Sequence, residues 1–209
     1  MNVSEIMWQQ VIFMRPEEII NTLRTQIENT FNQVFVWLSK DTKLRRFRSN
    51  GEFWNIDQII EHIYLANRYL LILIQKGTKK ALQKAHERDV KIELTNYEIS
   101  NPRLEQIGIN NSFEWESPRH MIPKNDKSSF EIKQELHAQQ SLILENLLML
   151  KNGEGVLHKI RLSVNSLGRL DVYQYIYFLI KHIRRHLGQM EQIESEHIRK
   201  PECSLHNCR

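Results

Sequence analysis

Cysteine is nearly missing from this chain: of 209 residues only Cys203 and Cys208 carry a thiol, both close to the C-terminal end, so no disulfide framework can hold a core. Turn formers are scarce too. Seven glycines and five prolines, with long stretches free of both, exclude the many tight turns of a sandwich or barrel and leave an all-helical composition. No apolar run approaches the roughly 20 residues of a bilayer-spanning helix, so no membrane partner is expected. Charge of one sign is in small excess, 29 basic against 25 acidic residues for a net +4, too small to imply nucleic acid, and no nucleic-acid partner is expected. No basic secretory leader is expected in these first residues, since Glu5, Gln9 and Gln10 interrupt them. With no disulfides to form, a cytoplasmic location is expected.

What is present suffices for one core. Hydrophobic residues make up 41% of the chain and charged residues 26%, and 209 residues suit a single domain better than two poorly cored halves. The expected domain spans residues 1–200, with 201–209 as a disordered tail. Pro16 followed by Glu17 and Glu18 opens a first helix, along which Ile19, Leu23, Ile27, Phe31, Val34 and Leu38 recur at helical spacing. The pattern breaks from Asp41 to Gly51. There the densest basic run, Lys40, Lys43, Arg45, Arg46 and Arg48, reads as a solvated connection. Asn55 with Gln58 forms a capping box and starts a second helix, expected to stop near Gly77. Residues 78–126, interrupted by Pro102, Pro118 and Pro123, read as one long crossover with at most a short helix around Lys80 to Arg88. Ser128 with Glu131 caps a third helix that ends before Gly153, and a short hairpin-like segment follows. Asp171 with Gln174 caps the fourth. These features describe an all-α four-helix bundle with a long crossover between helices 2 and 3.

The fourth helix carries His182 and His186, an i, i+4 pair whose imidazoles can reach one ion. Among nine histidines such a pair is weak evidence by itself. The helical wheel supplies context: from Val172 as zero, the apolar stripe lies within about 60° either side, His182 and His186 at about 280° and 320°, and Lys181, Arg184 and Arg185 on the far arc. His62 occupies the same kind of flank on the second helix, beside Ile63 and Ala66. Three neutral imidazoles on inward flanks would leave coordination positions open, as a catalytic metal site does. No acidic ligand accompanies them, which argues against a di-iron bundle. Cys203, His206 and Cys208 look like ligands but lack a second cluster. The run Tyr173, Tyr175, Tyr177 and Phe178 reads mostly as packing, with a pocket lining as the alternative, Trp54 as a staple-like core contact, and Gln189 as a solvated residue, with a hydrogen bond that supports the site one turn beyond His186 as the alternative.

Two segments resemble the DinB/YfiT-like family of metal-binding four-helix bundles, which includes thiol S-transferases. Residues 53–63, FWNIDQIIEHI, match its second-helix signature through Trp54 and His62. Residues 166–190, SLGRLDVYQYIYFLIKHIRRHLGQM, match its glycine turn and paired histidines through Gly168, His182, His186 and Gln189. The resemblance covers about Pro16 to Glu194. It implies a divalent metal, zinc or nickel, held by His62, His182 and His186, and a low-molecular-weight thiol as cosubstrate for a small electrophile. The chain departs from the pattern at Asn165 and Ser166, where related chains often have a histidine and a proline. No catalytic side chain is named, and a homodimer stays open. Three roles follow: a stress-response enzyme that transfers a thiol to an electrophilic carbon, a metal-dependent hydrolase, or a non-catalytic metal-stabilised stress or binding protein.

Overall fold

The structure, a computed structural model, describes residues 14–49 and 54–199. Four long helices dominate it: α1 (Pro16–Ser39), α3 (Ile56–Lys84), α6 (Ser129–Met149) and α7 (Val172–Arg199). The short helices α2 (Thr42–Arg45), α4 (Val90–Leu94) and α5 (Pro102–Ile107) lie in the connections. Helices α1 and α3 each pack against both α6 and α7, and the fully buried Leu23, Ile27, Phe31, Ile59, Ile63, Leu136, Ile143, Ile176 and Ile183 fill the space between them. The fold is all-α. Among the described residues no helix is long and apolar enough to cross a membrane. The tail expectation for residues 201–209 lies outside the described residues, as do Cys203, His206 and Cys208.

The helix starts follow local chemistry. Asn55 Oδ1 accepts from the Gln58 amide at 2.9 Å while Gln58 Oε1 accepts from the Asn55 amide at 3.1 Å, and Ser128 and Glu131 make the same reciprocal pair. Asp171 and Gln174 do so for α7, and Tyr97 donates its hydroxyl to the same Asp171 carboxylate at 3.0 Å. Complete burial pushes the Asp171 carboxyl up to about 7.

Three expectations need correction. Helix α3 does not stop near Gly77 but runs to Lys84, absorbing part of the separate short helix expected around residues 80–88. Gly77 is a packing glycine: a Cβ there would stand 2.7 Å from Ile160 Cδ1, so its missing side chain admits Ile160 rather than ending the helix. Residues 85–128 are not merely irregular, since they hold α4, α5 and a 3₁₀ turn at Arg119–Met121. Arg45, finally, is not solvated. Its guanidinium donates to Asp57 at 2.6 Å and Ser129 Oγ at 2.9 Å, which holds the first turns of α3 and α6 side by side.

After α6 the chain turns at Gly153, whose φ of 97° favours glycine, and forms the hairpin β1 (Lys159–Leu162) and β2 (Gly168–Asp171), antiparallel, with Lys159 opposite Asp171 and Leu162 opposite Gly168. The loop between the strands carries Asn165 at φ 45° and Ser166 at φ 52°. A proline, locked near −65°, could not adopt the conformation of Ser166.

Candidate metal centre

Helix α3 brings His62 two turns past its cap, and α7 brings His182 and His186 one turn apart, all three facing inward and at most 6% exposed. Ring centroids lie 5.4 Å apart for His62 and His182, 4.7 Å for His62 and His186, and 4.5 Å for His182 and His186. One ligand atom from each falls within 4.8 Å of the others, the spacing of a site that could hold a metal ion. The residues read from the sequence as ligands thus come together in space.

Hydrogen bonds fix the imidazoles' orientation. His62 Nδ1 donates to the Met121 carbonyl at 2.8 Å, and His186 Nδ1 donates to Gln189 Oε1 at 2.6 Å. Both rings therefore turn Nε2, with its lone pair, toward the cluster. His182 Nε2 lies 3.1 Å from His186 Nε2, and His182 Nδ1 is buried with no hydrogen-bond partner. With Nε2 of His186 a bare acceptor, His182 can satisfy one nitrogen only by leaving the other orphaned. A divalent ion among the three Nε2 atoms would relieve the crowding of lone pairs, so the donor set fits such a group.

Electrostatics agree with neutral ligands. Burial pushes His186 down to about 3 and His182 well below the ordinary imidazole range, with neighbouring imidazoles adding to both shifts. Burial lowers His62 as well, against the opposing pull of its bond to Met121. Glu61, a buried carboxylate next to His62 in the chain, is not part of the cluster. It accepts from the Lys124 and Asn125 amides at 3.0 and 2.9 Å and so pins the chain entering α6 against α3.

A cavity of about 490 Å³ opens onto the cluster. Trp54 lies 4.8 Å from the His62 ring and Trp115 lies 5.3 Å from the His182 ring, so two indoles wall it. Trp54 packs on the core as expected but also faces the site. Gln189 follows the alternative and not the solvated reading: it lines the cavity and holds the His186 ring. Tyr173 is fully buried, as a packing residue is, whereas Tyr175, equally buried, and Phe178 also line a cavity. Trp115, Glu116 and Met121 escaped the sequence reading because they stand in the connection between α3 and α6, where apolar spacing is irregular. The pair Phe113 and Trp115 ahead of Pro118 was the one available signal.

The family model described as the DinB superfamily matches residues 24–190, most of the chain. The protein belongs to the DinB superfamily. No curated protein and no solved structure matches it. The DinB match runs from α1 to the last turns of α7 and encloses all three imidazoles and Gln189.

Because Gln189 holds the His186 ring, and the cluster could hold a metal ion, Gln189→Leu in this DinB protein is expected to weaken the binding of added zinc about 10- to 100-fold with helical circular dichroism unchanged. Competition against a chelator of known affinity measures it, and wild-type affinity would show that Gln189 holds nothing.

Proposed function

We propose that this DinB-superfamily protein holds one divalent ion, zinc or nickel, through His62, His182 and His186, and uses the site to transfer a low-molecular-weight thiol to a small electrophilic substrate. The observation that carries this reading is the buried, neutral imidazole cluster, with no carboxylate in it, facing a cavity walled by Trp54 and Trp115. The chemistry an ion supplies there is Lewis acidity, which brings a thiol pKa of about 8.5 into the neutral range.

The chain's own residues do the rest. Met121 and Gln189 orient two of the ligands, and the indoles of Trp54 and Trp115 exclude water and offer apolar faces to a substrate. Among the described residues lining the cavity there is no cysteine, and the one serine, Ser117, makes no hydrogen bond to a histidine or carboxylate that would activate it, so the nucleophile arrives with the cosubstrate. In the net reaction the sulfur bonds to the electrophilic carbon, the thiol proton passes to solvent, and the leaving group or opened epoxide oxygen takes the electron pair. A reducing cytoplasm is where such thiols are abundant.

Glu116 favours a second reading. Among the described residues it is the one carboxylate lining the same cavity, is exposed, and would serve as the base for hydrolysis by activated water.

The test is zinc-loaded protein with glutathione, bacillithiol or mycothiol and a haloarene or epoxide, following thiol loss. The expected result is saturable thiol consumption that requires metal and collapses in His186→Ala. Ester or amide hydrolysis that needs both His186 and Glu116, without thiol consumption, would replace the first reading by the second.

A further inference from the structure

A second cavity, of about 260 Å³, lies against the first, and His182 lines both. One wall comes from a single face of α7, where Tyr175, Phe178 and His182 succeed each other at helical spacing, and the facing wall from Ala66 and Leu70 of α3. Two polar atoms on the α7 wall have no hydrogen-bond partner although they are buried: Tyr175 Oη and His182 Nδ1. Tyr175 is 0% exposed. Buried polar groups are nearly always paired, because one left unpaired loses its bonds to water and gains none in return. Two on the wall of one cavity point to a molecule that pairs them.

The chemistry of that molecule follows from the lining. Tyr175 offers an O–H, and His182, with Nε2 turned to the cluster, offers Nδ1–H, so the buried end needs an acceptor. Phe178, Ala66 and Leu70 suit an apolar body. A dry cavity of about 150 Å³ holds benzene, so about 260 Å³ holds one substituted ring. Arg161 of β1 also lines the cavity, is exposed, and forms no ion pair among the described residues. It suits an anion at the open end.

We infer that this cavity is a binding site for a single-ring aromatic carboxylate whose second substituent is a hydrogen-bond acceptor, held at its buried end by Tyr175 and His182 and at its open end by Arg161. That this molecule is the electrophile rests on the function proposed above; its binding does not.

Calorimetric titration of the zinc-loaded full chain tests the site with three probes: 4-acetylbenzoate, 4-ethylbenzoate, which lacks the acceptor, and methyl 4-acetylbenzoate, which lacks the charge. Wild-type protein is expected to bind 4-acetylbenzoate most tightly. Tyr175→Phe should weaken it about three- to tenfold while leaving 4-ethylbenzoate unchanged, since one neutral hydrogen bond is lost. Arg161→Gln should weaken both carboxylates and not the ester. The thermal midpoint of Tyr175→Phe should stay at or above wild type, because its hydroxyl has no protein partner to lose. Failure of 4-acetylbenzoate to bind, or binding that neither substitution alters, would overturn the assignment. So would binding abolished by chelation with the helical signal intact, which would put the probe on the imidazole cluster. Binding that follows the expected pattern without thiol consumption supports the cavity assignment and counts against the thiol reaction.

Discussion

Replacing His182 by Ala is expected to reduce the zinc content of untagged protein from one equivalent per chain to near zero, and His62→Ala and His186→Ala should do the same. On the proposed assignment each offers one ligand atom to a converging set of three, so losing any one leaves two, too few for a stable site. The loss should exceed the roughly 10- to 100-fold expected for the outer partner Gln189. His137→Ala and His158→Ala are the controls: His137 stacks on Phe35 at 3.9 Å, and neither belongs to the cluster. Because alanine leaves a void where a buried imidazole stood, His182→Gln should accompany it, with circular dichroism reporting the fold. Full zinc retention in both His182 variants would remove the metal assignment.

Those three residues were legible in the sequence because a helical wheel reports the flank of an apolar stripe, and the caps that set each wheel's phase are local. Pro16, Asn55 with Gln58, Ser128 with Glu131, and Asp171 with Gln174 all start helices where their chemistry says they should. What the wheel could not report is what covers a polar arc. Lys181 and Arg185 stand opposite the stripe of α7, yet both are buried, because the connection between α3 and α6 packs over them. Glu105 of α5 takes Lys181 as a close ion pair, and Arg185 donates to the carbonyls of Ile109 and Phe113 at 2.6 and 3.3 Å. Those partners lie more than 70 residues away in the chain, so no local pattern announces them. The same long connection supplies Met121 and Trp115 to the site. Gly77 departs from its expectation for a related reason: a glycine inside a helix can mark a stop or a close approach, and only the position of Ile160 decides.

The metal-free protein is expected to lose stability as pH falls below about 6.5, and the slope identifies the buried imidazoles. His182 and His186 sit in the folded protein with pKa values far below the ordinary 6.5, at about 3 for His186, and His62 is lowered as well. In the window between those values the unfolded chain binds protons that the folded chain refuses. Stability is therefore present above pH 6.5 and is lost on acidification, by about 1.4 kcal/mol per pH unit for each proton. Asp171 opposes this: its carboxyl is raised from 3.8 to about 7, so it contributes stability that is full below 3.8 and lost as pH rises through 7. Two strongly depressed imidazoles against one raised carboxyl leave a net of at least one proton, or about 1.4 kcal/mol per unit between pH 5.5 and 4. Urea unfolding of chelated protein at pH 7, 6, 5 and 4.5 measures the slope. Asp171→Asn should steepen it by about one proton, and His186→Asn should flatten it by the same amount. Zinc should raise stability most at neutral pH and progressively less on acidification, since ligation needs unprotonated imidazoles and binding to the folded state adds to its stability. Stability that holds or rises between pH 6.5 and 5 in the metal-free protein would show that these imidazoles are not held neutral.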